Sequence, residues 1–97
     1  MWAWSQLTCS GVARVQIYTM AMCPYCVRAK RLLAGRGIPF DEADVGSDLE
    51  LRADVVRRTG RRTVPQIFID GRPIGGFDEL AALDAAGELA GLRQENG

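Results

Sequence analysis

The sequence predicts an α/β fold: a four-stranded mixed sheet in the order β-α-β-α-β-β-α, with helices on both faces. Three observations carry this. A run rich in strand formers, Val15 to Tyr18, leads through a short loop into a helical pattern that opens on Cys23-Pro24-Tyr25-Cys26. A second strand and helix repeat the alternation, so the first two strands run parallel through a crossover. Asp70-Gly71 then separates two short apolar runs, the strongest local signal of a hairpin, and makes the last two strands antiparallel.

The elements follow in order. Val15-Gln16-Ile17-Tyr18 alternates and forms the first strand. The first helix runs from about Pro24 to Gly35, with Cys26, Ala29, Leu32 and Leu33 as its inward stripe and Gly35 and Gly37 ending it. Pro39 to Asp44 is the second strand. Ser47-Asp48-Leu49-Glu50 reads as a capping box, Ser47 at the N-cap and Glu50 at N3, opening a second helix. Leu51, Val55 and Val56 face inward from it, Arg57 and Arg58 suit its C-terminal dipole, and Gly60 ends it after Thr59. Gln66 to Ile69 is the third strand, and Arg72-Pro73-Ile74 is the fourth, at an edge because Pro73 cannot donate a ladder bond. Gly75-Gly76 turns the chain, Asp78 caps the third helix, and Leu80 and Leu83 face inward. A short last turn spans Leu89 to Leu92.

Length and composition exclude several classes. With 97 residues the chain makes one domain, not two. Residues 1–13 show no period and read as a poorly ordered N-terminal extension, 14–92 as the domain and 93–97 as a C-terminal tail. Apolar residues at 47% and charged residues at 25% are those of a soluble globular protein. Lys+Arg and Asp+Glu are both 12, which argues against nucleic acid as the main partner, since that binding needs surplus cations. No apolar run approaches the roughly 18–20 residues of a membrane span. The 3 cysteines are too few for a disulfide scaffold, and the N-terminus lacks a signal-peptide pattern, so the expected compartment is the cytoplasm.

The chemistry concentrates at the Cys-x-x-Cys. A thiol at a helix N-cap lies against unpaired N–H groups and the positive dipole end, which stabilise its thiolate. Cysteines so placed have pKa values of roughly 3.5–7.5, against about 8.5 when free. Cys23 fits the N-cap and Pro24 fits N1, where a missing N–H costs nothing. Cys26 lies one turn further on the same face, so Cys23 is the exposed nucleophile and Cys26 the covered, resolving thiol. A zinc half-site or two core cysteines would be the alternatives. Zinc wants four ligands, and the chain has His 0 and no second Cys-x-x-Cys.

Cys23-Pro24-Tyr25-Cys26 after the first strand, Thr63-Val64-Pro65 before the third, and Gly75-Gly76-Phe77-Asp78 before the third helix resemble a dithiol glutaredoxin of the small bacterial kind. The resemblance runs from about Arg14 to Leu92, and the three motifs together are far more specific than Cys-x-x-Cys alone. It implies a thioredoxin fold and a glutathione-dependent oxidoreductase. Such an enzyme reduces protein disulfides and glutathionyl mixed disulfides through Cys23 and Cys26. It implies glutathione as reductant and co-substrate, no metal, disulfide-containing or glutathionylated proteins as partners, and action as a monomer. It also implies a cis Val64-Pro65 bond, Val64 backbone pairing with the cysteinyl unit of glutathione, and the Phe77 and Asp78 amides receiving its γ-glutamyl carboxylate. Tyr25, Arg62, Thr63, Pro65 and Gly76 complete the implied binding set.

Two departures stand out. The family usually carries Lys or Arg at the place of Met20, and Arg61 or Arg62 is the candidate replacement for that cation. Cys9 falls in the extension and reads as an incidental thiol. Two rival readings are a redoxin served by thioredoxin reductase and a carrier in which two chains and two glutathiones hold a 2Fe–2S cluster. The Gly-Gly-Phe-Asp site argues against the first, and Pro24, where cluster-binding members tend to carry Gly, against the second.

Overall fold

The computed structural model describes residues 14–92. The expected extension, including Cys9, and the expected tail lie outside them. The elements are β1 (Val15–Thr19), α1 (Pro24–Gly35), β2 (Phe40–Asp44), α2 (Leu49–Thr59), β3 (Gln66–Ile69), β4 (Arg72–Gly75), α3 (Phe77–Ala85) and a 3-10 turn (Ala90–Leu92). The sheet order is β2-β1-β3-β4, with β1 parallel to β2 and antiparallel to β3, and β4 antiparallel to β3 at the edge.

Strand periodicity divides the core between the two faces of the sheet. Val15 and Ile17 of β1 and Ile67 of β3 pack with Ala29 and Leu33 of α1, Leu80 of α3, Ile38, Leu89 and Leu92. Phe68 faces the other way and packs with Val45 and with Val55 of α2, joined by Tyr18, Met20, Leu51 and Val64. So α1 and α3 cover one face and α2 the other. The Arg58 guanidinium lies 4.5 Å above the Phe68 ring and donates to the Tyr18 hydroxyl at 3.1 Å, sealing the rim of the smaller core.

The turns show why the chain reverses where it does. Asp70 (φ 54°) and Gly71 (φ 81°) both adopt the left-handed region, as a two-residue hairpin turn requires. At the end of α1, Gly37 (φ 72°) lets its own N–H reach Ala34 O and the Ile38 N–H reach Leu33 O, a paired closure of the last turn. Gly60 (φ 74°) closes α2 through a 2.7 Å bond to Val56 O.

The structure corrects two caps, one inward residue and some boundaries: Val56, expected to face inward, is half-buried and lines the outer side of α2, while Leu51 and Val55 reach the core. Asp48, not Ser47, is the N-cap of α2; its carboxylate accepts the Leu51 N–H at 3.0 Å. Adjacent Ser and Asp compete for one position, and the shorter helix leaves Ser47 outside it. Gly76, not Asp78, precedes α3, and the cap is supplied in reverse: the Glu79 carboxylate accepts the Gly76 N–H at 2.8 Å. β2 begins at Phe40 rather than Pro39, which has no N–H to give, and β1 and β4 each run one residue further, to Thr19 and Gly75.

The cap assignment is directly testable. Asp48→Ala is expected to cost about 1 kcal/mol in urea unfolding, and Ser47→Ala less than about 0.5 kcal/mol. The reverse order would return the cap to Ser47.

Candidate functional site

The site forms where three chain segments converge at one end of the sheet. The register that pairs Tyr18 with Gln66 sets the end of β1 beside the start of β3. The loop leaving β1 therefore meets the loop entering β3. The first carries Cys23, the second Val64 and Pro65, and the Val64–Pro65 peptide is cis. The Cys23 thiol points at Val64 O, 3.9 Å away. The third segment is the start of α3: the Phe77 ring lies 6.3 Å from that of Tyr25.

Cys23 is the N-cap of α1, in an extended conformation, with Pro24 next in line at the helix start. Its carbonyl accepts the Val27 N–H at 3.2 Å. Burial pushes the Cys23 thiol up, but the Cys26 N–H, the Cys26 thiol and the Tyr25 N–H outweigh it, and the thiol lies below its ordinary value. Cys26 is 2% exposed. Burial pushes it up to about 11 and the neighbouring Cys23 adds to this, against the smaller opposing pull of the Met20 backbone and the Lys30 ammonium. Both are free thiols. The two sulfurs thus differ in exposure and in the direction their pKa values are moved, Cys23 down and Cys26 up.

Beneath α1 lies a polar network absent from the sequence-based expectations. Thr19, 3% exposed, donates to Glu42 Oε2 at 2.7 Å, and Lys30 Nζ donates to the same oxygen at 2.9 Å. Burial pushes the Glu42 carboxyl up, but these two donors hold it below the usual range. The network ties β1, β2 and α1 together and fixes Lys30, one turn beyond Cys26. Only the strand register shows it, because Thr19, Lys30 and Glu42 are far apart in sequence.

Beside Cys23 runs an open groove of about 170 Å³ lined by Tyr25, Arg61, Thr63, Val64, Pro65, Gly76, Phe77, Asp78 and Glu79. Its floor depends on a missing side chain: a Cβ on Gly76 would sit 3.2 Å from Pro65 O. Gln66, 1% exposed, donates to Thr63 O at 2.8 Å and so holds the loop ahead of β3. The first intrahelical bond of α3 runs from the Leu80 N–H to Gly76 O, so the Phe77 and Asp78 N–H groups precede the ladder and are available to an anion. The Arg28 guanidinium stacks 5.2 Å from the exposed Tyr25 ring.

The cations differ from expectation. Arg61, not Arg62, borders the groove, with its guanidinium 3.8 Å from the Glu79 carboxylate. Arg62 lines a separate depression on the outside of α2. Met20 packs into the core shared by Val45, Val55 and Phe68 rather than over the groove. Sequence reasoning also missed Glu79, whose i, i+3 relation to Gly76 was the available signal.

Comparison with known proteins agrees with this geometry. The glutaredoxin family model matches residues 15–74. Glutaredoxin 3 of Escherichia coli is 51% identical over 78 residues, covering 80% of this chain and 94% of the relative. A glutaredoxin of Pseudomonas aeruginosa is 50% identical, covering 80% and 93%. Among solved structures, a Brucella melitensis glutaredoxin superposes with a TM-score of 0.72 at 50% identity, covering 82% of this chain and 87% of the other. A buckwheat glutaredoxin–glutathione complex gives 0.76 at 27%, covering 84% and 82%. The chain therefore belongs to the glutaredoxin family, the glutathione-dependent thiol–disulfide oxidoreductases.

Proposed function

We propose that Cys23 is the attacking thiol of this oxidoreductase, that the groove beside it binds the glutathionyl half of a mixed disulfide, and that Cys26 resolves protein disulfides. The observation that carries this reading is the inequality of the two thiols. Cys23 is held below its ordinary pKa at a helix mouth, and Cys26 is buried and pushed up to about 11.

The Cys23 thiolate attacks the glutathionyl sulfur of a substrate mixed disulfide. The old S–S bond breaks and the substrate leaves as a thiolate that takes a proton from solvent. A second glutathione thiolate then attacks the glutathionyl sulfur on Cys23, giving glutathione disulfide and regenerating the Cys23 thiolate. On a protein disulfide, Cys23 first forms a mixed disulfide with the protein. Cys26, losing its proton, attacks the Cys23 sulfur, forming the Cys23–Cys26 disulfide and releasing the reduced protein; two glutathione thiols then reduce that disulfide in turn and leave as glutathione disulfide.

Each groove residue has a chemical reason for its role. Val64 lies ahead of the β3 ladder, which begins at Gln66, so its backbone suits strand-like pairing with the cysteinyl unit. Pro65 and Thr63 shape that edge. The Phe77 and Asp78 amides suit the γ-glutamyl carboxylate, and the Asp78 carboxylate suits the ammonium. Gly76 keeps the approach open, and Tyr25 offers its half-exposed ring as a wall. Arg61 takes the glycyl carboxylate in place of the cation absent at Met20. The groove is complete within one chain, which supports action as a monomer. The reduced state that the chemistry needs supports a cytoplasmic setting, with glutathionylated and disulfide-bonded proteins as partners.

Two outcomes are expected. Cys23→Ser abolishes turnover of every substrate, whereas Cys26→Ser retains reduction of small glutathionyl mixed disulfides in an assay coupled to glutathione reductase. Complete loss with Cys26→Ser would restrict the enzyme to the intramolecular disulfide. Arg61→Ala raises KM for glutathionyl substrates about three- to tenfold, a difference that added salt narrows. An unchanged KM in Arg61→Ala would leave the glycyl carboxylate without this partner.

A further inference from the structure

Cys26 must give up its proton to resolve a mixed disulfide on Cys23, and its surroundings resist this. It is 2% exposed, and burial pushes it up to about 11. The Met20 N–H opposes that shift, the Cys23 thiol adds to it, and the Lys30 ammonium opposes it. Lys30 follows Cys26 by one turn of α1, so the two side chains are neighbours on one side of the helix, with Cβ atoms about 6 Å apart. Lys30 is also placed from outside the helix. Its ammonium donates to Glu42 Oε2 on β2 at 2.9 Å, and the buried Thr19 hydroxyl donates to the same oxygen at 2.7 Å. Thr19 and Met20 are consecutive: one holds Glu42, and the other meets Cys26. Of the 12 basic residues, Lys30 is the one lysine.

We propose that Lys30 is a positioning residue of the resolving step: secured by Glu42 and Thr19, its ammonium stabilises the negative charge that the Cys26 sulfur carries as it attacks the disulfide on Cys23. In that step the Cys26 S–H bond breaks and its proton leaves to solvent. The Cys23–Cys26 bond forms, the bond from Cys23 to the substrate sulfur breaks, and that sulfur departs with the electron pair as a thiolate. The charge passes from sulfur to sulfur, so Lys30 is needed only while Cys26 holds it. An ion pair this near the surface adds little to stability. Here a buried hydroxyl is nevertheless committed to the carboxylate, which holds the lysine beside α1. The inference rests on the roles proposed above for Cys23 and Cys26 and adds the group that eases the second step.

A charge at this range moves a thiol by about one pH unit. Without it about tenfold less Cys26 thiolate is present, and the more basic sulfur recovers about threefold through greater nucleophilicity. A stopped-flow reaction with one equivalent of dithiobis(nitrobenzoate) reads the two steps apart in a Cys9→Ser background. Attack by Cys23 releases a first nitrothiobenzoate, and attack by Cys26 on the resulting mixed disulfide releases the second. Lys30→Gln, which can still donate to Glu42, is expected to leave the first phase unchanged and to slow the second about threefold. The factor is expected to hold across neutral pH, where Cys26 is protonated in both proteins. Lys30→Arg is expected to restore the second phase. Because the chain has one lysine, acetylation of the folded Cys23–Cys26 disulfide form, followed by reduction, removes the same charge without a substitution. It is expected to match Lys30→Gln, which, treated the same way, controls for the α-amino group. An unchanged second phase in both Lys30→Gln and the acetylated protein would overturn the proposal. So would equal slowing of both phases, the mark of a purely structural role, or a slow second phase that persists in Lys30→Arg. An undiminished first phase in Cys23→Ser would instead overturn the thiol roles proposed above, on which this inference rests.

Discussion

The antiparallel pairing of β1 with β3 is the constraint on which the site depends. β1 ends where the Cys23 loop begins, and β3 begins where the Val64-Pro65 loop ends. Because Tyr18 sits opposite Gln66, those two loops are obliged to meet. A slip of one residue would turn Ile17 and Ile67 out of the larger core and Phe68 out of the smaller one, so burial of both faces fixes the register. Packing and chemistry thus share one determinant. The hydrophobic alternation that stabilises the sheet also brings a thiol within 3.9 Å of the carbonyl that edges the groove.

From that placement the division of labour between the thiols follows. α1 must bury one stripe against the sheet, and Cys26 lies on it with Ala29 and Leu33. Cys23, three residues earlier, lies at the N-cap instead, outside the stripe and against the helix mouth. Two identical side chains acquire opposite pKa shifts from a single turn of helix. The Thr19–Glu42–Lys30 network adds rigidity below them. It ties the middle of α1 to β1 and β2 through Lys30, one turn beyond Cys26.

Local signals in the sequence made most of the fold legible. Asp70-Gly71 needs left-handed backbone at two successive residues, and few dipeptides supply it. Gly37 and Gly60 end helices for the same reason. The Cys-x-x-Cys at a strand–helix junction announced both thiols and their order. Where two adjacent residues offered the same chemistry, sequence reasoning could not separate them. Ser47 and Asp48 can both cap α2, and the choice depends on how far the helix extends. Arg61 and Arg62 both precede Thr63, but as neighbours in the non-helical stretch after α2 they line different surfaces, Arg61 the groove and Arg62 the face of α2. The Lys30–Glu42 pair stayed hidden because it exists only once β2 is in register with β1.

The central claim is that position along α1 makes the two thiols unequal. Ultraviolet titration of thiolate absorbance in the Cys23→Ser and Cys26→Ser variants, each carrying Cys9→Ser so that a single thiol titrates, tests it most directly. Cys23 is expected to ionise below the ordinary cysteine value and Cys26 well above it. Two thiols titrating together near the ordinary value, or Cys26 ionising first, would contradict the account.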